Sequence, residues 1–141
     1  MSMQAVKGVS IGDGFGNAKA FGSQVHDEIG YRKGKGFFHW TNHAGGLEGG
    51  MTNGEPVVVR VAKKPISTLK RPLRSVNIET KEVVKAAYER SDVCALPAAS
   101  VIGESICAWV FADALLEKLG GDFMGEVLDR YRLYLKHVRA Y

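Results

Sequence analysis

The sequence is short of cysteine, with Cys94 and Cys107 as the only two in 141 residues. No C-x-x-C pair is present, which argues against a structural zinc site. The first residues, "MSMQAVKGVS", lack a charged segment followed by an apolar one, so a secretory leader is not expected. We therefore expect two reduced cysteines, no metal site and a cytoplasmic protein.

Long uncharged apolar runs are also lacking. The most apolar stretch, 93–119, still holds four charged residues, and these argue against a membrane span; they are Glu104, Asp113, Glu117 and Lys118. Hydrophobic residues make up 45% and charged residues 24%, an ordinary globular composition. A chain of this length forms one domain, so we predict a single domain over 1–141.

Strand patterns occupy the first two-thirds of the chain and helix patterns the rest. Strands are predicted at Ala5–Gly12, Gln24–Arg32, Pro56–Ala62 and within 74–82, and "KGKGFFHWTNHAGG" between them is predicted to be a mobile loop. Pro97 in a first turn and Gly120–Gly121 as a stop predict a helix from Pro97 to Leu119 that lies in a core. A second helix, with Asp122 as its N-cap, is predicted to reach about Val138. This order predicts an α+β fold, a layered β-α-β sandwich with two C-terminal helices.

Five glycines stand within the ten residues 45–54, directly before the β-branched strand. Because glycine loses much conformational entropy on folding, such a segment is either disordered or held in a shape that only glycine allows.

A basic run lies between Pro56 and Asn77, with six cations and no acid: Arg60, Lys63, Lys64, Lys70, Arg71 and Arg74. Such a segment suits a phosphate group, and the alternative is a solvated basic face. The net charge of +4 allows a nucleic-acid partner. However, aromatic residues do not interleave with the cations as they would in a stacking platform, so this alternative ranks last.

Other polar groups are weaker candidates. In "ERSD" an arginine stands two residues before Asp92, where it would keep the carboxylate ionised, although a surface ion pair explains the pattern equally well. His26, Asp27 and Glu28 are adjacent on a predicted strand and so cannot share one metal. His39 and His43 are expected to be solvated loop histidines, and a buried Glu104 would need a partner.

Five long segments, in order, resemble chorismate synthase: "AVKGVSIGDGF", "GSQVHDEI", "TNHAGGLEGGMTNGEPVVVRVAKKPISTL", "ERSDVCALPAASV" and "LLEKLGGD". The resemblance covers essentially the whole chain. It implies a C-terminal portion of the family's longer chain, without the part that carries two histidines needed for the family's chemistry.

The resemblance implies a lyase of the shikimate pathway of aromatic amino acid biosynthesis. The family converts 5-enolpyruvylshikimate-3-phosphate to chorismate and phosphate by an anti-1,4-elimination, with reduced FMN as cofactor and no net redox change. The resemblance also associates the family with NADP, and it leaves open how the longer protein obtains reduced flavin. The resemblance also implies a homotetramer, with no nucleic acid and no membrane as partners.

Site residues follow from the same motifs. Asp92 resembles the aspartate that assists proton movement at the flavin. The flavin-contacting positions implied by the resemblance are Gln4, Ala5, Gly49, Lys64, Pro65, Ile66, Ser67, Thr68 and Arg90. The glycine-rich segment would let the main chain approach a flat anionic cofactor. Three positions depart from the family pattern: Ser67 replaces a proline, His43 an arginine and Asn77 an aspartate.

Two classes of function are therefore expected. In the first, the chain contributes part of a flavin and substrate site and is inactive alone. In the second, it is a catalytically inactive structural or assembly module that forms a dimer, because the apolar surface that the absent part would cover drives self-association.

Overall fold

The computed structural model describes residues 1–90 and 92–141. The described residues form eight short strands followed by two long helices, and this confirms the predicted α+β class and element order. The strands are β1 Val6–Ile11, β2 Ile29–Arg32, β3 Gly36–His39, β4 Leu47–Glu48, β5 Met51–Thr52, β6 Val59–Lys63, β7 Arg74–Val76 and β8 Val83–Lys85. The helices are a 3-10 turn at Gly14–Lys19, α1 Gly22–Val25, α2 Leu96–Leu119 and α3 Met124–Arg139.

The strands pair as four separate antiparallel ribbons: β1 with β6, β2 with β3, β4 with β5, and β7 with β8. Only the β1–β6 ribbon joins distant parts of the chain, with Val9 opposite Val61 and Ile11 opposite Val59. The predicted strand at Gln24–Arg32 is wrong in its first half, because Gln24 and Val25 belong to α1. The predicted mobile loop after it is wrong as well, because it contains β3.

Helix α2 begins and ends where the sequence predicts, with proline in its first turn. Gly120 and Gly121 have φ angles of 61° and 117°, a left-handed region that stops the helix. Helix α3 begins at Met124 with Phe123 as its N-cap, so the predicted cap at Asp122 is wrong. The Asp122 N–H instead donates to Glu126 Oε2 at 3.0 Å.

The core is very small. Only four hydrophobic residues are buried among those described, namely Val6, Phe38, Ala99 and Val127. The accessible surface is 11979 Å², about 1.7 times the ~7,100 Å² expected of a folded monomer of 15.3 kDa. The prediction that α2 lies in a core is therefore wrong for this chain, since Trp109 and Val101 are 79% and 63% exposed. Among the described residues, most of the large apolar side chains of α2 are exposed, and Ala99 is its one buried residue.

By length and composition alone, α2 would be able to cross a membrane. This is weak evidence for a span, because a helix that another part of a larger protein covers has the same composition.

Candidate functional site

A cleft of about 510 Å³ lies between the segment that follows β6 and the residues at the start of α2. One wall comes from the segment after β6 and the other from the residues before α2. The lining residues are Lys63, Lys64, Pro65, Ile66, Leu69, Asp92, Val93, Cys94, Ala95 and Leu96. Two cations and one carboxylate therefore share a cleft whose walls are otherwise mostly apolar.

Two hydrogen bonds fix the wall that follows β6. The Lys64 N–H donates to the Ala5 carbonyl at 2.7 Å, which ties this wall to the residue before β1. The Thr68 hydroxyl donates to the Glu89 carbonyl at 3.2 Å, which ties it to the opposite wall. The segment from Lys64 to Thr68 is therefore held at both ends, although it has no regular secondary structure.

Arg90 forms an ion pair with the cleft residue Asp92, with Arg90 Nε 3.0 Å from Asp92 Oδ1. The two side chains are 83% and 52% exposed, and exposed pairs of this kind are worth about 0–1 kcal/mol. Breaking this ion pair so that either group can bind a ligand therefore costs little free energy. Ser91, the middle residue of the "RSD" motif, lies outside the described residues.

The structure brings most of the predicted site residues together. Four of them line the cleft: Lys64, Pro65, Ile66 and Asp92. Three more lie next to it: Ala5 accepts a hydrogen bond from Lys64, Thr68 follows the same segment, and Arg90 pairs with Asp92. Ala5 has a φ of 62°, unusual for a residue with a side chain. Such backbone conformations concentrate at functional sites.

Other predicted site residues do not line this cleft. Gln4 precedes Ala5 and is exposed, as is Ser67. Gly49 lies with Gly50 at the tip of the β4–β5 hairpin, where both φ angles are positive and a Cβ atom on either residue would meet nothing. A two-residue hairpin with two positive φ angles requires glycine for the turn itself.

The glycines before β6 approach this chain's own backbone. A Cβ atom on Gly45 would lie 2.3 Å from Gly12 N, and one on Gly46 would lie 2.6 Å from the Pro56 carbonyl oxygen. The expectation that these two glycines make room for a cofactor is therefore corrected: they allow the 41–46 loop to pack against the end of β1 and the start of β6.

A polar cluster that the sequence did not predict supports the 41–46 loop. The Asp27 carboxylate accepts hydrogen bonds from the Thr41 hydroxyl at 2.6 Å and from the His43 and Ala44 N–H groups at 2.7 and 2.9 Å. Desolvation by burial acts to raise the pKa of Asp27, but these bonds and the nearby His43 outweigh it, and the pKa is lowered from its ordinary value. Asp27 is thus a structural acceptor.

The two histidines expected to be solvated both have carboxylate neighbours. His43 Nδ1 lies 2.5 Å from Asp13 Oδ2. The His39 side chain is 12% exposed and lies between Glu48 and Glu55, at 3.5 and 3.6 Å. The expectation of solvated loop histidines is therefore wrong. In the described parts of the chain, 1–90 and 92–141, no group of three or more potential ligands is arranged to hold a metal ion.

An apolar cleft of about 390 Å³ separates β6 from α2. Val57, Val59 and Val61 line one side, and Ala99, Cys107 and Phe111 the other. Glu104 also lines this cleft but is exposed, so the prediction that it is buried is wrong. Cys94 and Cys107 are both free, in agreement with the sequence.

Comparisons with known proteins agree on one family. The family model described as chorismate synthase matches residues 1–116. Chorismate synthase of Aquifex aeolicus (strain VF5) is 64% identical over 141 residues, covering 100% of this chain and 35% of the relative. Chorismate synthase of Geobacter sulfurreducens is 55% identical over 148 residues, covering 100% of this chain and 38% of the relative. A solved structure titled "Crystal Structure of Chorismate Synthase" matches with a TM-score of 0.79 and 52% identity, over 100% of this chain and 34% of that one.

The α+β arrangement and the matched motifs thus define a fold that occurs in shikimate-pathway lyases. The chain belongs to the chorismate synthase family. It spans about a third of the length of the relatives it matches. These coverage figures do not confirm the predicted placement at the C-terminal end of the family's chain.

Proposed function

We propose that this chain forms part of the flavin and substrate site of a chorismate synthase. The reaction proposed for the complete site is the anti-1,4-elimination of phosphate from 5-enolpyruvylshikimate-3-phosphate, which gives chorismate. The observation that carries the proposal is the shared cleft of Lys64, Pro65, Ile66 and Asp92. These residues come from two motifs far apart in the sequence, and both motifs belong to the family resemblance.

Reduced FMN suits this cleft by size and chemistry. A volume of about 510 Å³ lies within the usual range of roughly 300–1,000 Å³ for cofactor pockets. The apolar side chains of Pro65, Ile66 and Val93 suit a planar ring system, while Lys63 and Lys64 suit an anionic group. When bound, the flavin supplies the transient electron density that the elimination requires, and the protein supplies orientation and electrostatics.

The chain's own groups then have distinct roles. Arg90 holds an anionic group, because its guanidinium forms bidentate contacts with phosphate or carboxylate. Asp92 accepts or returns a proton, since its carboxylate faces the same cleft. Lys64, Pro65 and Ile66 form the wall on which the flavin rests, and the segment is held by the hydrogen bonds of Lys64 to Ala5 and of Thr68 to Glu89.

Turnover requires the part of the family's chain that this sequence does not contain. The loss of one general acid or base costs about 10²–10⁴-fold in rate, and the resemblance assigns two essential histidines to that part. We therefore expect flavin binding without measurable chorismate formation from this chain alone.

A structural or assembly role is the second candidate, and the large exposed surface favours it. Exposed apolar surface of this extent promotes association, in line with the homotetramer that the resemblance implies. The cytoplasm remains the predicted location.

An anaerobic titration of reduced FMN into the purified chain, with and without 5-enolpyruvylshikimate-3-phosphate, tests the proposal. We expect saturable binding that tightens with substrate and that weakens at least tenfold in Arg90→Ala, the effect of losing one charged hydrogen-bonded contact of about 1.5–3 kcal/mol. Arg71→Ala is the matched control, because Arg71 is an exposed arginine without the ion pair that joins Arg90 to the cleft residue Asp92. Absence of binding at high micromolar protein would favour the structural role.

A further inference from the structure

Lys63 interrupts an otherwise apolar row of side chains on β6. Residues at every second position of this segment line the apolar cleft between β6 and α2, and the first three are valines: Val57, Val59 and Val61. Because side chains two residues apart on a strand share a face, the fourth member of the row is Lys63, which lines the same cleft. An apolar residue would continue the pattern, so a charged residue at this position needs its own explanation.

Lys63 also borders the cleft proposed for the flavin. It is the last residue of β6 and lines both clefts. Its backbone is fixed on both sides, because it pairs with the buried Val6 across the ribbon and the next residue, Lys64, donates its N–H to the Ala5 carbonyl at 2.7 Å. The ammonium group therefore reaches the flavin cleft from a defined point at the end of the strand.

The charge of Lys63 is the more sheltered of the two lysine charges in the flavin cleft. Lys63 is half-buried, whereas Lys64 and the four preceding residues of β6 are exposed. In the described parts of the chain Lys63 forms no ion pair, and the cleft carboxylate Asp92 is already paired with Arg90. A charge that is partly removed from water and has no counter-ion attracts an anion more strongly than a solvated charge does.

The two redox forms of FMN differ in the charge on the ring system. Near neutral pH the reduced ring carries one negative charge that the oxidised ring does not, while the phosphate charge is common to both forms. A cation beside the ring therefore favours the reduced form, whereas a cation at the phosphate favours both equally. The apolar residues of the cleft suit the ring, and one of them, Leu96, lines both clefts as Lys63 does. Lys63 thus lies on the side of the cleft that suits the ring.

We propose that Lys63 makes the flavin cleft selective for reduced FMN, by placing its ammonium group beside the ring system and not at the phosphate. This role of Lys63 rests on the proposed function and adds to it a residue that discriminates between the two redox forms of the cofactor. The discrimination depends on charge and not on one particular contact. Arginine should therefore substitute for Lys63, and an uncharged residue of similar length should not.

Separate titrations with oxidised FMN and, anaerobically, with reduced FMN test this, and the ratio of the two dissociation constants is the readout. Ring packing, phosphate contacts and the folded fraction affect both forms and cancel in the ratio. Wild type should bind reduced FMN roughly tenfold or more tightly than oxidised FMN, and Lys63→Met, whose side chain suits the apolar row, should lose roughly tenfold of this preference. A tenfold change corresponds to about 30 mV in the two-electron potential of the bound flavin, which equilibration with a redox dye measures independently.

Two variants serve as controls. Lys63→Arg keeps the charge and should keep the wild-type ratio. Lys33→Met makes the same loss of charge at an exposed position in the β2–β3 turn, outside the cleft, and should leave both dissociation constants unchanged. An unchanged ratio in Lys63→Met would overturn the proposal, and so would equal losses for the two forms, which would assign Lys63 to the phosphate. Failure of wild type to bind either form would refute the flavin cleft itself, and this role of Lys63 with it.

Discussion

Replacing Asp27 with alanine should loosen the 41–46 loop, and the size of the effect follows from its contacts. The substitution removes three hydrogen bonds to one carboxylate and leaves the His43 and Ala44 N–H groups without their acceptor. Each part-buried donor left unsatisfied costs about 1–3 kcal/mol, and water offsets part of this at a half-buried site. We expect a net loss of roughly 2–3 kcal/mol in local stability.

Amide hydrogen exchange of His43 and Ala44 is the direct assay. A loss of this size corresponds to exchange roughly 30- to 140-fold faster at these two amides, since about 1.4 kcal/mol is tenfold. Glu79→Ala is the control, because this carboxylate is exposed and its side chain accepts no hydrogen bond among the described residues. Unchanged exchange at both amides would refute the assigned role of Asp27.

The same carboxylate gives the loop a pH dependence of known sign. The pKa of Asp27 in the folded chain is lowered from 3.8, so its contribution is complete above that value and disappears as the pH falls through the lower folded pKa. The difference between wild type and Asp27→Ala should therefore vanish in strong acid. A difference that grew with falling pH would contradict the sign.

Two further substitutions test the backbone and the cleft. Gly12→Ala should lower the free energy of unfolding, measured by urea titration, by roughly 3 kcal/mol or more, because a Cβ atom there would lie 2.0 Å from the His43 carbonyl oxygen at a φ of 58°. Gly49→Ala, at a similar φ but in open space, should lower it by only about 1–2 kcal/mol. Equal losses would contradict the packing described for Gly12. Thr68→Val removes the 3.2 Å hydrogen bond to Glu89 and should weaken the binding of reduced FMN several-fold. Its urea midpoint should change no more than the midpoint of the control Thr80→Val, since Thr80 is an exposed threonine in the β7–β8 turn. Unchanged FMN affinity would contradict the role of Thr68 in the flavin site.

The sequence predicted those elements whose boundaries depend on local chemistry. Helix α2 was located correctly because a proline fits its first turn and two glycines end it. Strand β1 was located by its alternation and β6 by its β-branched residues, whereas their pairing was not predicted. These signals lie within a few residues of the feature they predict.

The elements missed depend on contacts between distant residues. Strand β3 was interpreted as part of a loop because Gly34 and Gly36 dominate the turn before it, and contacts such as the packing of Trp40 on Phe38 are not visible in the local sequence. The role of Asp27 was missed because its partners are 14 to 17 residues away.

Burial of α2 was predicted wrongly for a different reason. An apolar helix predicts burial, but most of the large apolar side chains of α2 are exposed among the described residues. The cleft of Lys64 and Asp92, by contrast, was predictable only through the family resemblance, because no local pattern relates two segments that are 28 residues apart.

A chimera tests the central claim most directly. The 141 residues of this chain would replace the segment that they match in the Aquifex aeolicus chorismate synthase, at 64% identity, and chorismate formation would be measured anaerobically with reduced FMN. The account predicts an active chimera whose kcat falls about 10²- to 10⁴-fold in Asp92→Asn, as expected for a proton-transfer group. A folded chimera that binds flavin but makes no chorismate, or one that Asp92→Asn leaves fully active, would contradict it.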